Sequence, residues 1–315
     1  MKAAAIYFFV GVQGYTLFIL SSNRLNQLHE QVRNTLPLSQ MSFYKQFMPP
    51  TALAGLVRAF EIYRVDWNSG ENLPEPFITC LANTEQCLYF YVNDTIRIVP
   101  AAHVEIPVPP VVITGPKNKP VGLLFGKDHL MVKVIFHPTG TYRLLGLNMK
   151  ETVNNGLDAT RFWGDALHDI LHQLRRADSY ESMIQIISAF IEAKYDAQCR
   201  PQEPIDMVAV KMLDPLTDHS QEEWASMACL SLRQFERNFM TRIGITPKLF
   251  IRIVRFEHAM KIKNDHPQKS WSQIAEECGY TDSSHLLREF KEFAEFPPSR
   301  FYLQPTSGYS DFPTG

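Results

Sequence analysis

Apolar residues fall in short runs over the first half of the chain and at helical spacing over the second. Between residues 43 and 156 the runs 88–92, 111–114, 121–125, 131–136 and 142–147 are rich in Val, Ile, Phe and Tyr and are separated by Pro, Gly and Asn. This pattern predicts short strands of a small barrel or sandwich. Prolines at 100, 107, 109, 110, 116 and 120 cannot donate to a ladder, so that stretch reads as loops and edge strand. From residue 157 the period changes to about 3.6. Phe162, Ala166, Ile170 and Leu174 share one predicted helix face, and Met183, Ile184, Ile187 and Ile191 mark a second helix. Residues 196–204 (DAQCRPQEP) are polar and contain two prolines, which predicts a linker. Every later element reads as helix up to about residue 302. The tail 304–315 has no apolar period and is expected to fray.

Residues 1–40 stand apart. Residues 3–20 are mostly apolar and follow Lys2, as in a short signal peptide or weak membrane span, but Gly11, Gln13, Gly14 and Thr16 dilute the run. Leu25, Leu28 and Val32 then recur at helical spacing, and Met41 opens a more ordinary start. The segment reads as an added N-terminal helix or an upstream start, with a membrane segment as the alternative.

The second half contains two similar helix pairs. In residues 220–240 a first helix carries Trp224, Ala225 and Ala228, a turn falls at Cys229–Leu230, and Ser231 with Gln234 forms a capping box for the next helix. Phe235 and Phe239 bury one face of that helix and leave Arg233, Glu236 and Arg237 on others. In residues 270–293 the arrangement returns. Ser270 and Gln273 form a second box, Ile274 and Ala275 are buried, and Gly279 sits where a helix stops with positive φ. A helix starting at Asp282 or Ser283 buries Leu286, Phe290 and Phe293 and leaves Ser284, His285 and Arg288 outside that stripe. Between the pairs, Thr246 as N-cap and Pro247 as first helical residue start a helix reaching about Asn264. Its length of roughly 27 Å can set two reading helices near the roughly 34 Å repeat of the major groove.

Residues 205–302 resemble the DNA-binding domain of AraC/XylS-type transcriptional regulators. The resemblance is carried by Ala225, Ser231, Phe235, Arg237 and Phe239, then Gly244, Thr246, Pro247, Arg255 and Ala259. Ile274, Ala275, Gly279, Tyr280, Asp282, Ser284, His285, Arg288, Phe290, Lys291 and Pro298 complete it. It implies seven helices with two recognition helices in successive major grooves. It places base-facing positions at Arg233, Glu236 and Arg237 in the first unit, and at Ser283, Ser284, His285 and Arg288 in the second. Four positions depart from the family pattern: Cys229 where Gly is frequent, Ala294 and Glu295 in place of a Gly-containing turn, and Leu286 where an aromatic is common.

The N-terminal half resembles, in pattern, the cupin-like β domain of some AraC-type regulators, with residues 50–57 as a capping helix leading into the first strand. The expected fold is therefore α+β. A small cupin-like β-barrel with flanking helices is followed by an all-α domain with two helix-turn-helix units. The expected divisions are 1–40 extension, 41–195 regulatory domain, 196–204 linker, 205–303 DNA-binding domain and 304–315 tail. The resemblance implies double-stranded DNA as partner. A small-molecule effector, a homodimer and RNA polymerase are further candidates, and a membrane is not expected.

Composition adds limits. With 45% hydrophobic and 20% charged residues in 315, the chain is neither disordered nor fibrous. Its formal net charge of −2 gives no overall pull toward polyanions, so DNA contact requires a local patch. Residues 231–263 supply one: eight Lys/Arg against Glu236 and Glu257, a net +6. Residues 214–303 carry 12 Lys/Arg against 13 Asp/Glu, so the second unit is the acidic one. The first is expected to anchor more strongly.

The five cysteines form no Cys-x-x-Cys pair and read as single buried thiols of a cytoplasmic protein. No catalytic motif is found and no cofactor is expected. His103, His129 and His137 do not form the His-x-His set of metal-binding cupins. His168 and His172, beside Asp165 and Asp169, have spacing that can bind a metal but read as a solvated helix face. The alternative function is a cupin-type enzyme or metal sensor fused to a DNA-binding domain.

Overall fold

A computed structural model describes residues 5–11, 14–20, 42–66, 77–99, 105–295 and 298. Its N-terminal half holds two six-stranded sheets. The first has strand order β2-β1-β5-β10-β7-β8, from β1 (Ala5–Gly11), β2 (Gly14–Leu20), β5 (Phe77–Cys80), β7 (Ile96–Val99), β8 (Ile106–Pro107) and β10 (Val121–Phe125). The second runs β12-β9-β6-β11-β4-β3, from β3 (Ser42–Phe47), β4 (Val57–Asp66), β6 (Gln86–Tyr91), β9 (Val111–Thr114), β11 (Asp128–Phe136) and β12 (Gly156–Asp158). Strand alternation gives the second sheet two buried faces. Tyr63, Tyr91, Val112 and Met131 pack toward Ile96 and Phe125 of the first sheet. Phe60, Ile62, Leu88, Phe90, Val132 and Val134 pack against helices.

Those helices begin with α1 (Gly140–Leu145), α2 (Thr160–Trp163), α3 (Ala166–Arg175) and α4 (Tyr180–Gln198). Leu167, Leu171 and Leu174 of α3, with Met183, Ile184, Ile187 and Ile191 of α4, seal the sheet face. The single helix expected through Phe162 and Leu174 is two, because Gly164 at φ +56° breaks it. Of residues 142–147, expected as a strand, 142–145 belong to α1, which Gly146 stops at φ +68°. Residues 50–57 contain a single 3-10 turn, Thr51–Leu53, before β4.

The expected N-terminal helix is corrected to a hairpin. β1 pairs antiparallel with β2, in register from Ala5↔Leu20 to Gly11↔Gly14. Aromatic and β-branched residues dominate both arms, and the two glycines close the turn, so the strand preference wins over the weak apolar run. Among the described residues no helix is long and apolar enough to cross a membrane. Leu25, Leu28, Val32, His103 and the tail 304–315 lie outside the described residues.

The helical half contains α5 (Pro204–Lys211), α6 (Gln221–Met227), α7 (Leu232–Ile243), α8 (Pro247–Asp265), α9 (Trp271–Glu277) and α10 (Ser283–Ala294). One apolar cluster unites them, with Trp224, Phe235, Phe239, Phe250, Phe256, Phe290 and Phe293 fully buried.

The two halves are in direct contact. Ala82 N–H donates to the Phe293 carbonyl at 3.3 Å, and Gln86 Nε2 to the Arg242 carbonyl at 3.2 Å. Thr84 Oγ1 donates to Glu257 Oε2 at 3.0 Å. Behind Thr84 a chain of buried charges reaches into the sheets. Arg58 pairs with Glu85 at 2.8 Å, and Lys133 pairs with Glu85 at 2.7 Å and Glu61 at 3.2 Å.

Candidate nucleic-acid interface

Each helix pair is built from local signals that agree with its packing. Ser220 accepts from Glu223 N–H and opens α6; Ser231 accepts from Gln234 N–H and opens α7. Between them Cys229 takes φ +56°, and Leu230 N–H returns to the Ala225 carbonyl at 3.0 Å. A left-handed residue is what this tight reversal requires, and here it is not glycine. Gly244, at φ +99°, ends α7. In the second pair Ser270 and Gln273 cap α9, Gly279 turns at φ +68°, and Asp282 accepts from His285 N–H at 2.7 Å to open α10.

Helix α8 joins the pairs. Its 19 residues span about 28 Å. Phe250 meets Phe239 of the first unit edge-on, and Phe256 packs on Phe290 and Phe293 of the second. Arg252 adds a polar brace to α10, reaching Glu289 at 2.7 Å and Glu292 at 2.5 Å. Packing at both ends fixes α7 and α10 relative to one strut.

On α7 the side chains of Arg233, Glu236 and Arg237 are exposed, opposite buried Phe235 and Phe239. On α10 Ser284 and Arg288 are exposed, and Ser283 is half-buried at the first turn. His285 turns inward. Its ring meets Tyr280 edge-on at 5.3 Å, and Nε2 lies 3.6 Å from Glu289. Two neighbours have no DNA-facing role in the sequence reading, Leu287 and Lys291, yet both are exposed on the stripe of Ser284 and Arg288. Helical spacing was the signal: 284, 287, 288 and 291 lie on one face.

The basic surplus is smaller at the surface than in the sequence. Arg242 is buried against Asp206, Arg252 is taken by Glu289 and Glu292, and Lys261 pairs with Asp265. Arg255 lies over Tyr280 and Lys263 over Trp271. Among the described residues Arg233, Arg237, Lys248 and Arg288 make no ion pair and are exposed.

Residues 224–304 match the helix-turn-helix domain family. This is an AraC-type helix-turn-helix domain. Its relatives include a helix-turn-helix-type transcriptional regulator of Haemophilus influenzae, 32% identical over 87 residues, which are 28% of this chain and 29% of that protein. The transcriptional activator RhaS of Citrobacter koseri is 31% identical over 96 residues, 28% of this chain and 33% of RhaS. The chain thus spans about a third of the length of these curated relatives. Among solved structures, ToxT of Vibrio cholerae with bound unsaturated fatty acid aligns over 73% of this chain and 93% of ToxT, at 14% identity and a TM-score of 0.42. The AraC-like transcriptional activator CuxR aligns over 71% and 89%, at 13% identity and a TM-score of 0.25.

The histidines outside the AraC-type domain are dispersed. His129 is fully buried with Nδ1 2.8 Å from the Asp94 carbonyl, and burial pushes it down to about 4. His137 Nε2 lies 3.1 Å from the Ala54 carbonyl. His168 and His172 of α3 line an open surface dent with Pro110, Asp169 and Arg175. Among the described residues no three His, Cys, Asp or Glu side chains gather as a metal set. All five cysteines are free; Cys80, Cys87 and Cys278 are buried, Cys199 is half-buried and Cys229 is exposed.

Proposed function

We propose that the chain is a sequence-specific DNA-binding transcriptional regulator whose AraC-type domain lays α7 and α10 in adjacent major grooves. The observation that carries this reading is the mounting of both exposed helix faces on α8. A strut of about 28 Å with packed ends matches a groove repeat of about 34 Å. Arg233, Glu236 and Arg237 read the first groove; Ser283, Ser284, Leu287 and Arg288 read the second. Arginine suits guanine O6 and N7, glutamate suits cytosine N4, and leucine suits a thymine methyl. His285 supports α10 through Tyr280 and Glu289. Lys248 and Lys291 face phosphates.

The sheet half, residues 41–195, modulates the AraC-type domain, residues 205–303, in response to a small molecule or through dimerisation. The interdomain hydrogen bonds at Thr84 and Gln86 support such coupling. The test is selection of a duplex from a random pool by the full chain. The expected outcome is a site with two preferred segments about one helical turn apart. Binding with no preference would set this reading aside.

A further inference from the structure

Arg242 occupies the last turn of α7, the helix assigned to the first groove, yet it is buried against α5 and the sheet half and does not join the exposed stripe of Arg233 and Arg237. Its guanidinium is buried and donates to Asp206 at 2.8 Å and to Glu203. The flat face lies 4.8 Å from the ring centre of Tyr142, on α1 of the sheet half. Arg200, in the connection between the halves, covers the same ring at 5.2 Å. The Arg242 carbonyl accepts from Gln86, fully buried at the start of β6, whose Oε1 accepts in turn from Thr141 N–H.

The connection itself is tied down. Arg200 N–H donates to the Arg143 carbonyl at 2.9 Å, and Arg143 Nε returns a bond to the Arg200 carbonyl at 3.2 Å. Just past α7, a Cβ placed on Gly244 would lie 2.5 Å from the Met149 carbonyl oxygen. Glycine there serves the positive φ and also lets the sheet half's backbone close on the end of α7.

These contacts grip α7 by its C-terminal end and leave Arg233, in its first turn, and Arg237, at its middle, exposed. A small rotation at the gripped end changes the aim of both arginines. We propose that Tyr142 and Gln86, in the sheet half, are positioning residues for DNA reading by α7. They set the orientation of the first recognition helix and give a signal from the sheets a route to the first half-site. The inference rests on the reading of α7 as a recognition helix.

The experiment uses the full chain and the duplex it selects from a random pool, with the first or second half scrambled in turn. Tyr142 is half-buried, so Tyr142→Ala is expected to fold; Tyr142→Leu, which keeps bulk without a ring face, serves where it does not. Either variant is expected to lose about tenfold of the preference for the intact first half, between the scales of an exposed and a desolvated cation–π contact. Preference for the second half stays unchanged, and Tyr142→Phe retains wild-type preference in both. Unchanged first-half preference in Tyr142→Ala and Tyr142→Leu would overturn the proposal, and so would equal loss in both halves. Arg237→Ala separates the two levels. If it keeps first-half preference, the assignment of α7 itself fails. If it loses that preference while Tyr142→Ala and Tyr142→Leu do not, only the positioning role fails.

Discussion

Thr84 in the sheet half and Glu257 on the strut helix α8 share a buried hydrogen bond of 3.0 Å across the domain boundary. Both are nearly inaccessible to solvent. Burial, and then the neighbouring Glu85 carboxylate, push Glu257 up to about 8, against the pull of Thr84 and Arg58. Glu85 goes the other way. Burial raises it, but Lys133 and Arg58 together outweigh that and hold it below the ordinary range. At neutral pH the structure therefore holds Glu257 protonated beside an ionised Glu85.

A pH dependence follows with a definite sign. The folded chain keeps the Glu257 proton up to about 8, whereas an exposed glutamate releases it near 4.5. The contribution is whole below the lower value and is lost as pH rises through the upper one, by up to tenfold in the folding equilibrium per pH unit. Burial lowers His129 and His137 below their ordinary value near 6.5, and they act in the opposite sense at lower pH. The clean window is thus pH 6.5 to 8. Denaturant unfolding of the full chain in that window should show wild type losing stability relative to Glu257→Gln. Parallel pH curves for the two proteins would contradict this charge state.

Cys229 holds φ +56° in the first helix-turn-helix turn with its side chain exposed. Replacing it by glycine relieves the left-handed strain, about 1–2 kcal/mol, against a loss of about 0.5–1 kcal/mol in chain entropy. Cys229→Gly should raise the melting temperature slightly, and Cys229→Val should lower it. Thermal melts of both variants check the order.

Arg252 braces α8 against α10 through Glu289, whose side chain is 3% exposed, and through exposed Glu292. Arg252→Ala leaves Glu289 short of a buried partner, which costs roughly 1–3 kcal/mol. The loss should be visible in chemical denaturation and should weaken second-half-site preference more than first. A variant as stable as wild type would show that the brace is surface decoration.

Arg237 and Arg288 occupy comparable exposed positions on the two recognition helices, but Arg237 has two further exposed cations outside any ion pair in its unit's surroundings, Arg233 and Lys248, where Arg288 has one on its own stripe, Lys291. Arg237→Ala should therefore cost more affinity for the selected duplex than Arg288→Ala. Each base contact is worth about 1–3 kcal/mol. Titrations at two salt concentrations separate a base contact from a phosphate contact, because only the latter lowers the salt slope, by about one unit.

Much of this was legible in local sequence. Ser220, Ser231, Ser270 and Asp282 announce helix starts because a cap depends on residues three apart, and the phenylalanine spacings give the buried faces. Two departures from the family pattern, Cys229 and Glu295, fall on left-handed positions, at φ +56° and +60°. Local pattern failed where tertiary context decided. Residues 142–147 form a short apolar run between turn residues and so read as a strand, but only Tyr142 prefers a strand; Arg143, Leu144 and Leu145 favour helix, and α1 forms there with Gly146 ending a turn that packs on α4. The net +6 segment overstated the surface charge, because charge counting cannot see that Arg242 and Arg252 are spent on Asp206 and Glu289. The link from Thr84 to Glu257 joins residues 173 positions apart, and no short-range signal reports it.

The central claim is that α7 and α10 read one face of DNA together. Hydroxyl-radical footprinting and guanine methylation interference of the full chain on its selected duplex test this most directly. The account predicts two interfered major-groove segments about one helical turn apart on the same face, with Arg237→Ala abolishing the signal in only one of them. A single segment, two segments on opposite faces, or loss of both in Arg237→Ala would contradict it.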